Sequence, residues 1–356
     1  MTNRRRFLIS GGSLLALSAG GSYLIGQRRL PDGSAAKGMI TPEAQDAIDR
    51  GLAYLVRHQH RDHSWGTGQY HGNVAITSIA ALALMSGGHL PGRGRYGEAV
   101  QGALEYVLSQ ERRNPPGYLN NGAAAHGPMY GHGFGTLFLA EVYGMVHNEN
   151  LRKKLKGTLQ RAVQLIVRSQ NIEGGWRYHP ISTDADISVT ICQIMALRAA
   201  KNAGFYVPKS TVDRCIDYVK RCQDLQTGGF RYMARHGGTA FARTAAGVVA
   251  LYSAGVYEGK HIEAGLKYLM QHRPGRHFIR HDMHYFYGHY YAVQAMWTAG
   301  GEYWKNWFPA IRDDLLRSGR HKNAGYWFDP ICTHYGTAMA CLILQVPNNY
   351  LPIFQR

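Results

Sequence analysis

The sequence predicts an all-α fold, a double-layered (α/α)6 toroid in which six helix pairs close into a ring. A similar unit recurs six times, and an aromatic residue in a turn marks each copy: Trp65, Tyr118, Trp176, Phe230, Phe278 and Trp327. A period near fifty residues indicates a repeat architecture, because one helix pair cannot bury its apolar faces alone. Neither end carries a polar capping repeat, which favours a closed ring over an open solenoid.

The two helices of each unit differ in their apolar pattern. The first is amphipathic, as where Leu52, Leu55 and Val56 share one face, and in five units it ends near a glutamine: Gln59, Gln110, Gln170, Gln223 and Gln271. The second is apolar on most faces, over 76–85, 136–145, 189–200, 245–254, 292–299 and 338–344. A helix that is apolar nearly all round is buried. We therefore expect the second helices to form the inner barrel and the first to surround it.

Composition is consistent with one large exported domain. The chain has 356 residues, 45% of them hydrophobic, and the repeat runs unbroken from about residue 44, so residues 44–356 are expected to form the toroid. The formal charge is 40 − 23 = +17, which favours anionic partners such as phosphates, acidic glycans or a membrane surface. The sequence carries no recognisable nucleic-acid-binding motif, and we expect no nucleic-acid partner.

The N-terminus has the pattern of a targeting segment. Residues 1–30 combine Arg4-Arg5-Arg6-Phe7-Leu8 with a weakly apolar stretch, which resembles a twin-arginine export signal or an uncleaved anchor. Residues 31–43, with Pro31, Gly33 and Pro42, are predicted to be a linker. We expect a periplasmic or envelope-associated protein, which a basic face or the anchor could hold at a membrane surface.

One repeat carries a family resemblance. The segment from Arg161 through Gln170 to Gly174-Gly175-Trp176 resembles the Gln-Trp repeat of the terpene cyclase and protein prenyltransferase β-subunit superfamily, and Gln59 with Trp65 forms a looser copy. The resemblance covers residues 44–345 as architecture and is most specific over 159–200 and 212–255. It implies an (α/α)6 barrel that holds isoprenoid chains in an aromatic-lined cavity.

The same resemblance implies a catalytic acid. Asp184-Ala185-Asp186-Ile187 is similar to the Asp-x-Asp-Asp motif of class II cyclases, with Asp186 at the position of the acid, Asp184 as its neighbour and Ile187 in place of the last Asp. Protonating an alkene or epoxide requires a carboxyl that is kept neutral in a dry cavity. Asp186 also precedes an apolar helix directly, so capping its N-terminus is an alternative role.

Aromatic and imidazole side chains gather where the inner helices begin. If the ring closes, they converge on one mouth of the barrel, and the predicted pocket residues are Trp176, Tyr130, His132, Tyr287, His289 and Tyr335. Aromatic faces there could stabilise cationic intermediates. Alternatively, Tyr and His occupy the wet ends of buried helices, with their apolar bodies inward.

We expect neither a metal nor a cofactor. Prenyltransferase β-subunits bind zinc through an Asp, a Cys and a distant His. Asp329, Cys332 and His334 have those residue types without that layout, because three ligands within six residues meet one zinc only in an irregular turn.

Three functions remain open from the sequence. The first is binding or transformation of an isoprenoid-type hydrophobic ligand in the barrel, which leans towards a cyclase-like or prenyltransferase-like enzyme. The second is a lyase or hydrolase acting on an acidic glycan. The third is a non-catalytic interaction scaffold. An apolar aromatic cavity favours the first, an open Arg/Tyr/His cleft the second and a filled barrel the third.

Overall fold

The computed structural model describes residues 34–122, 127–275, 284–318 and 324–355. Within these ranges the outer helices are α1 Pro42–Arg57, α3 Gly97–Ser109, α5 Glu149–Ser169, α7 Lys209–Cys222, α9 Lys260–Gln271 and α11 Gly301–Arg317. The inner helices are α2 Val74–Ser86, α4 Pro128–Val142, α6 Ile187–Asn202, α8 Phe241–Ser253, α10 Tyr285–Ala299 and α12 Thr333–Gln345. Two short strands, β1 Glu111–Arg112 and β2 Tyr118–Leu119, pair antiparallel in the second repeat.

The inner helices close into a ring, which confirms the predicted (α/α)6 toroid. Each packs on the next in the order α2, α4, α6, α8, α10 and α12, and α12 returns to α2. Their first turns meet one another, since Gly131 lies against Val74 and Gly288 against Phe241. The inner helices are therefore parallel. We call the end at which they begin the N-terminal mouth.

Turn tryptophans fix each inner helix to its outer partner in three repeats. The indole N–H donates to a carbonyl of the outer helix and the backbone N–H donates to a threonine hydroxyl of the inner helix: Trp65 to Leu55 and Thr77, Trp176 to Ile166 and Thr190, and Trp327 to Leu315 and Thr337. These indoles are almost fully buried. A buried N–H without an acceptor would cost stability, so each hydrogen bond fixes the orientation of its ring.

The repeated glutamines join neighbouring repeats. In three repeats the side-chain amide donates both to a carbonyl of its own turn and to one in the next outer helix: Gln59 to His63 and Ala99, Gln170 to Gly174 and Thr211, and Gln223 to Gly228 and His261. The amide NH2 group has two donors, so one side chain serves both carbonyls. The glutamine pattern is thus explained by packing between repeats.

The opposite end of the barrel is covered by the C-terminal segment. The indole N–H of Trp297 donates to the carbonyl of Phe354 at 3.2 Å, and Arg198 donates to that of Gln355 at 2.9 Å. The backbone N–H of Ile353 donates to the buried Glu141 carboxyl at 3.2 Å. A cavity of about 20 Å³ remains under this segment, room for about one water.

All six inner helices begin earlier than their apolar runs predict, α4 and α10 by the most. Helix α4 starts at Pro128 and α10 at Tyr285, because Gly, Tyr and His residues in their first turns are helical although they interrupt the apolar pattern. Helix α4 also ends at Val142, where the chain continues as a 3-10 turn, Tyr143–Met145. The glycines have a packing role: a Cβ on Gly133 would lie 2.8 Å from the Cβ of Cys192.

Several predicted features fall at the edges of the described chain. The targeting segment 1–30 and the turn aromatic Phe278 lie outside the described residues. The described part of the predicted linker packs on α11, where the carbonyls of Ala35 and Met39 accept from Trp304 and Arg312 at 2.8 and 2.9 Å. Within the described ranges, every helix is too short or too polar to span a membrane.

Candidate active site

Asp186 lies at the N-terminal mouth and caps α6. Its side chain is fully buried, and Oδ1 accepts the backbone N–H groups of Ser188 and Val189 at 2.8 and 2.9 Å. Its Oδ2 accepts from Arg177 at 3.1 Å. The capping role predicted as an alternative is therefore present, and it occupies one carboxylate oxygen while Arg177 binds the other.

Arg177 is the centre of a polar cluster beside Asp186. Its guanidinium lies 4.6 Å from the ring centroid of Tyr178 and 5.2 Å from that of Tyr232, and it donates to the Tyr232 hydroxyl at 3.0 Å. The Tyr178 and Tyr232 hydroxyls are 2.5 Å apart. Asp184 completes the cluster at 3.6 Å from Arg177. The rigid fork of an arginine suits such simultaneous contacts.

Burial and hydrogen bonding shift the pKa of the Asp186 carboxyl in opposite directions. Burial raises its pKa to about 6, although the N–H groups of Val189 and Ser188 and the charge of Arg177 lower it. A carboxyl with that pKa can gain or lose a proton close to neutrality. The Asp184 side chain, by contrast, is 44% exposed at the rim.

Tyrosines line the mouth beside Asp186. The ring of Tyr130 lies 6.1 Å from that of Tyr178, and the Tyr287 hydroxyl on α10 donates to the carbonyl of Ser188 on α6 at 3.1 Å. Tyr335, on α12, is buried. Burial raises the pKa of Tyr130, Tyr287 and Tyr335 well above the ordinary value, so all three phenols stay protonated.

Below the mouth, side chains fill the barrel. The Tyr291 hydroxyl on α10 lies 3.4 Å from the thiol of Cys192 on α6, and the rings of Phe134 and Tyr290 are 6.3 Å apart across the lumen. These pairs join helices that are not neighbours in the ring. The accessible part of the site is thus the mouth, and a ligand that reaches deeper has to displace these rings.

The structure brings together Asp184, Asp186, Tyr130, Tyr287 and Tyr335 but places three other predicted pocket residues between the two helical layers. Trp176 is bonded to α5 and α6 as described above. His132 accepts from the N–H of Leu119 at 3.3 Å and contacts the carbonyl of Ala162 at 3.3 Å. His289 packs among Phe241, Tyr285 and Trp307.

Both interlayer histidines are neutral at physiological pH. Burial lowers the pKa of His132 to about 4 and that of His289 to about 3. A neutral imidazole enclosed by apolar rings serves packing. Their position at the start of α4 and α10 is as expected from the sequence, yet their side chains point towards the outer layer.

Arg177, Tyr178 and Tyr232 were not predicted from the sequence. A signal was present, because Trp176-Arg177-Tyr178 and Phe230-Arg231-Tyr232 repeat one pattern of aromatic, arginine and tyrosine. The residue two positions after the turn aromatic thus faces the mouth in the third and fourth repeats.

The side chains considered for zinc are engaged elsewhere. Asp329, Cys332 and His334 accept backbone N–H groups of Ile331, Tyr335 and Gly66 at 2.8, 3.5 and 3.0 Å: these are separate bonds to separate partners. Across the described part of the chain, no group of three His, Cys, Asp or Glu side chains is arranged to hold a metal.

Solved enzymes share this architecture. Type II terpene cyclase MstE from Scytonema, in complex with its substrate geranylgeranyl dihydroxybenzoate, superposes with a TM-score of 0.59 at 14% identity, over 87% of this chain and 98% of the cyclase. Its apo form gives 0.56 at 15% identity, over 87% and 99%. Cellobiose 2-epimerase from Bacillus thermoamylovorans gives 0.61 at 12% identity, over 85% and 98%.

Comparisons of the sequence, by contrast, give no match. No protein-family model matches the chain, and no curated protein matches it. At 12–15% identity the likeness to solved structures is a likeness of fold. The protein has the fold of the α/α toroid enzymes, and the resemblance of its repeats to those of terpene cyclases is confirmed at that level.

Proposed function

We propose that the protein is a toroid enzyme that binds an isoprenoid-type chain at the N-terminal mouth and transforms it by proton transfer. The observation that carries the proposal is the Asp186 carboxyl, fully buried in a wall of tyrosines with a pKa raised to about 6. A proton-transfer group works best when its pKa lies near the operating pH.

The walls suit a ligand that becomes positively charged. Neutral phenol rings present electron-rich faces, which attract a cation more strongly when water is excluded. Tyr130 and Tyr287 provide such rings around Asp186. Burial of the apolar chain would contribute about 25 cal/mol per Å² removed from water.

Two further observations support this choice. Asp186 matches the acid of the cyclase motif, and Asp184 matches its neighbour. The similar cyclase MstE was solved with a substrate that carries a geranylgeranyl chain. Ile187 in place of the last Asp favours epoxide or allylic substrates over an unactivated alkene, since these need a weaker acid.

The test uses geranylgeraniol and its terminal epoxide as probes, with product analysis by gas chromatography and mass spectrometry. We expect the wild type to cyclise the epoxide. Asp186→Asn should lose the wild-type cyclic product by about 100-fold or more, the range for removing an acid–base group. Its melting temperature should change little, because Asn caps a helix about as well as Asp.

The matched control is Asp213→Asn, a helical carboxylate that pairs with Lys209 on the surface, and it should behave as wild type. A wild-type protein that neither binds nor converts either probe would contradict the proposed function. Full product formation by Asp186→Asn would remove Asp186 from the chemistry.

A second candidate, action on an acidic glycan, is favoured by one observation. At the rim, Arg177 contacts both Asp184 and Tyr178, and the fold is also similar to that of cellobiose 2-epimerase. Incubation with uronic acid oligosaccharides separates the two candidates, since a lyase would release unsaturated uronates that absorb in the ultraviolet. Because side chains fill the lumen, a non-catalytic scaffold stays an alternative. A scaffold would convert none of the probes.

Export by the twin-arginine route remains a proposal that rests on residues 1–30. Replacing Arg4 and Arg5 by Lys should leave the full chain in the cytoplasm, because the translocase reads the arginine pair as an address. Cell fractionation measures the outcome, and normal export of the double variant would exclude this route.

A further inference from the structure

The sixth repeat places a second buried carboxyl at the N-terminal mouth. Asp329 follows Trp327 by two positions, as Tyr178 follows Trp176 and Tyr232 follows Phe230. Trp327 is fixed to its helices by the same two hydrogen bonds as Trp176. The repeat register therefore directs residue 329 towards the mouth, where it is only 4% exposed.

Electrostatic contacts show what Asp329 faces. Its negative charge raises the pKa of Tyr70, Cys332 and Tyr335. Tyr335 in turn is influenced by Cys192 of α6. Helices α12 and α6 are opposite members of the ring of six, so Asp329 and Asp186 lie on facing walls with tyrosines between them.

The two carboxyls differ in their partners. Asp186 accepts two backbone N–H groups and pairs with Arg177. Asp329 accepts one backbone N–H, that of Ile331 at 2.8 Å, and no Arg or Lys within the described ranges forms an ion pair with it. His334 is neutral, because burial lowers its pKa to about 4. Burial raises the pKa of Asp329 to about 6, and no cation of the described residues lowers it.

Both carboxyls have a pKa raised to about 6 in the free protein, and a ligand in the mouth would separate their proton affinities. Displacing water from the mouth penalises the ionised form of each carboxyl. Arg177 stays beside Asp186 and compensates, whereas the titratable groups of the described residues that Asp329 influences, Tyr70, Cys332 and Tyr335, bring no positive charge. Neighbouring groups whose environments push their proton affinities apart are the ones that divide acid and base roles.

We propose that Asp329 is the proton donor of this site and that Asp186, kept ionised by Arg177, takes the proton back at the end of the reaction. The assignment rests on the proposed function and reverses the role that the cyclase motif implies for Asp186. The ligand would lie between the two walls.

The steps balance without a further reactant. The O–H bond of Asp329 breaks as its proton binds the epoxide oxygen, and the C–O bond opens to leave a cation on carbon. Ring closure forms carbon–carbon bonds and moves the cation along the chain. A C–H bond beside the final cation then breaks, its electron pair forms an alkene, and Asp186 receives the proton. The net change is an isomerisation, and water at the mouth returns the proton.

Product analysis with the terminal epoxide of geranylgeraniol distinguishes the two carboxyls. Asp329→Asn should lower epoxide consumption by about 100-fold or more, because no proton starts the reaction. Asp186→Asn should still consume epoxide but release products that carry one added water, since water captures the cation that no base deprotonates. Asp213→Asn should match wild type. Consumption at the wild-type rate by Asp329→Asn, or added-water products from it, would overturn the assignment.

A titration without turnover tests the same assignment independently. Aspartate carboxyls are labelled with carbon-13 and titrated by NMR, and the resonance that is missing in Asp329→Asn identifies Asp329. Its pKa should be raised and should rise further when geranylgeraniol is added. The Asp186 resonance should shift less. If the wild type consumes no epoxide, the proposed function fails, and the titration still decides protonation: an ordinary aspartate pKa at residue 329 would overturn the inference.

Discussion

The third and sixth repeats share one set of tryptophan contacts, which we call the frame, but place different groups beside it. In both, a buried tryptophan bonds to an outer-helix carbonyl and to an inner-helix threonine. The third repeat then adds Asp186 with a guanidinium beside it, and the sixth adds Asp329, which pairs with no guanidinium in the described part of the chain. The frame fixes where a side chain lies, and the neighbours of that side chain set its charge.

The largest effect is expected from breaking the shared frame. Trp176→Ala and Trp327→Ala should each lower the free energy of unfolding by about 3–5 kcal/mol, the range for truncating a buried aromatic residue. Both should cost similar amounts, because both indoles are buried and hydrogen-bonded. Chemical denaturation measures this, and a loss below about 1 kcal/mol in either repeat would contradict a common frame.

Removing the cation makes the third repeat resemble the sixth. Arg177→Met should destabilise the protein by about 3 kcal/mol above neutral pH, near the lower end for breaking a buried ion pair because Arg177 is partly exposed. The loss should shrink as the pH falls and Asp186 takes up a proton. Denaturation at pH 5 and pH 8 checks the trend, and an equal loss at both would argue against a charge effect.

Replacing Asp329 should relieve a pH-dependent penalty. Its pKa is raised from an ordinary 3.8 to about 6 in the folded state. The folded protein therefore binds more protons than the unfolded chain between these values, and the ionised carboxyl costs stability as the pH rises through this window. A rise of about 2 units corresponds to about 3 kcal/mol.

Relative to wild type, Asp329→Asn should thus gain up to about 3 kcal/mol between pH 4 and pH 7 and then level off. Unfolding free energies of both proteins across this range measure the gain, with Asp213→Asn as a control that shows no slope. A difference between variant and wild type that stays constant with pH would show that Asp329 does not titrate in this window.

The smallest effect concerns the helix cap, since Asp186 caps α6 whereas Asp329 does not cap α12. Asp186→Ala should be about 1 kcal/mol less stable than Asp186→Asn, since Asn still accepts the two backbone N–H groups of α6 and Ala does not. Both variants lack the Asp186 charge, so the difference between their thermal stabilities measures the contribution of the cap alone. Equal stabilities would mean that the cap contributes nothing.

The sequence predicted the fold well because the fold depends on periodic features. Apolar helices, turn aromatics and glutamines recur at similar intervals, and in three repeats each the tryptophans and the glutamines make the same contacts. Asp186 was predicted because it matches a motif. Arg177, Tyr232 and Asp329 were not, because their importance depends on which walls face each other once the ring closes. His132 and His289 show the converse, since residues at the right helix end point away from the mouth.

A crystal structure with geranylgeraniol bound would test the central claim most directly. We expect the chain in the N-terminal mouth, with one end between the carboxyls of Asp186 and Asp329 and within about 3 Å of the latter, directly or through one water, the reach of proton transfer. The rings of Tyr130 and Tyr287 should contact the chain. A chain bound elsewhere on the toroid, or a mouth whose tyrosines stay closed with Asp329 out of reach, would contradict it.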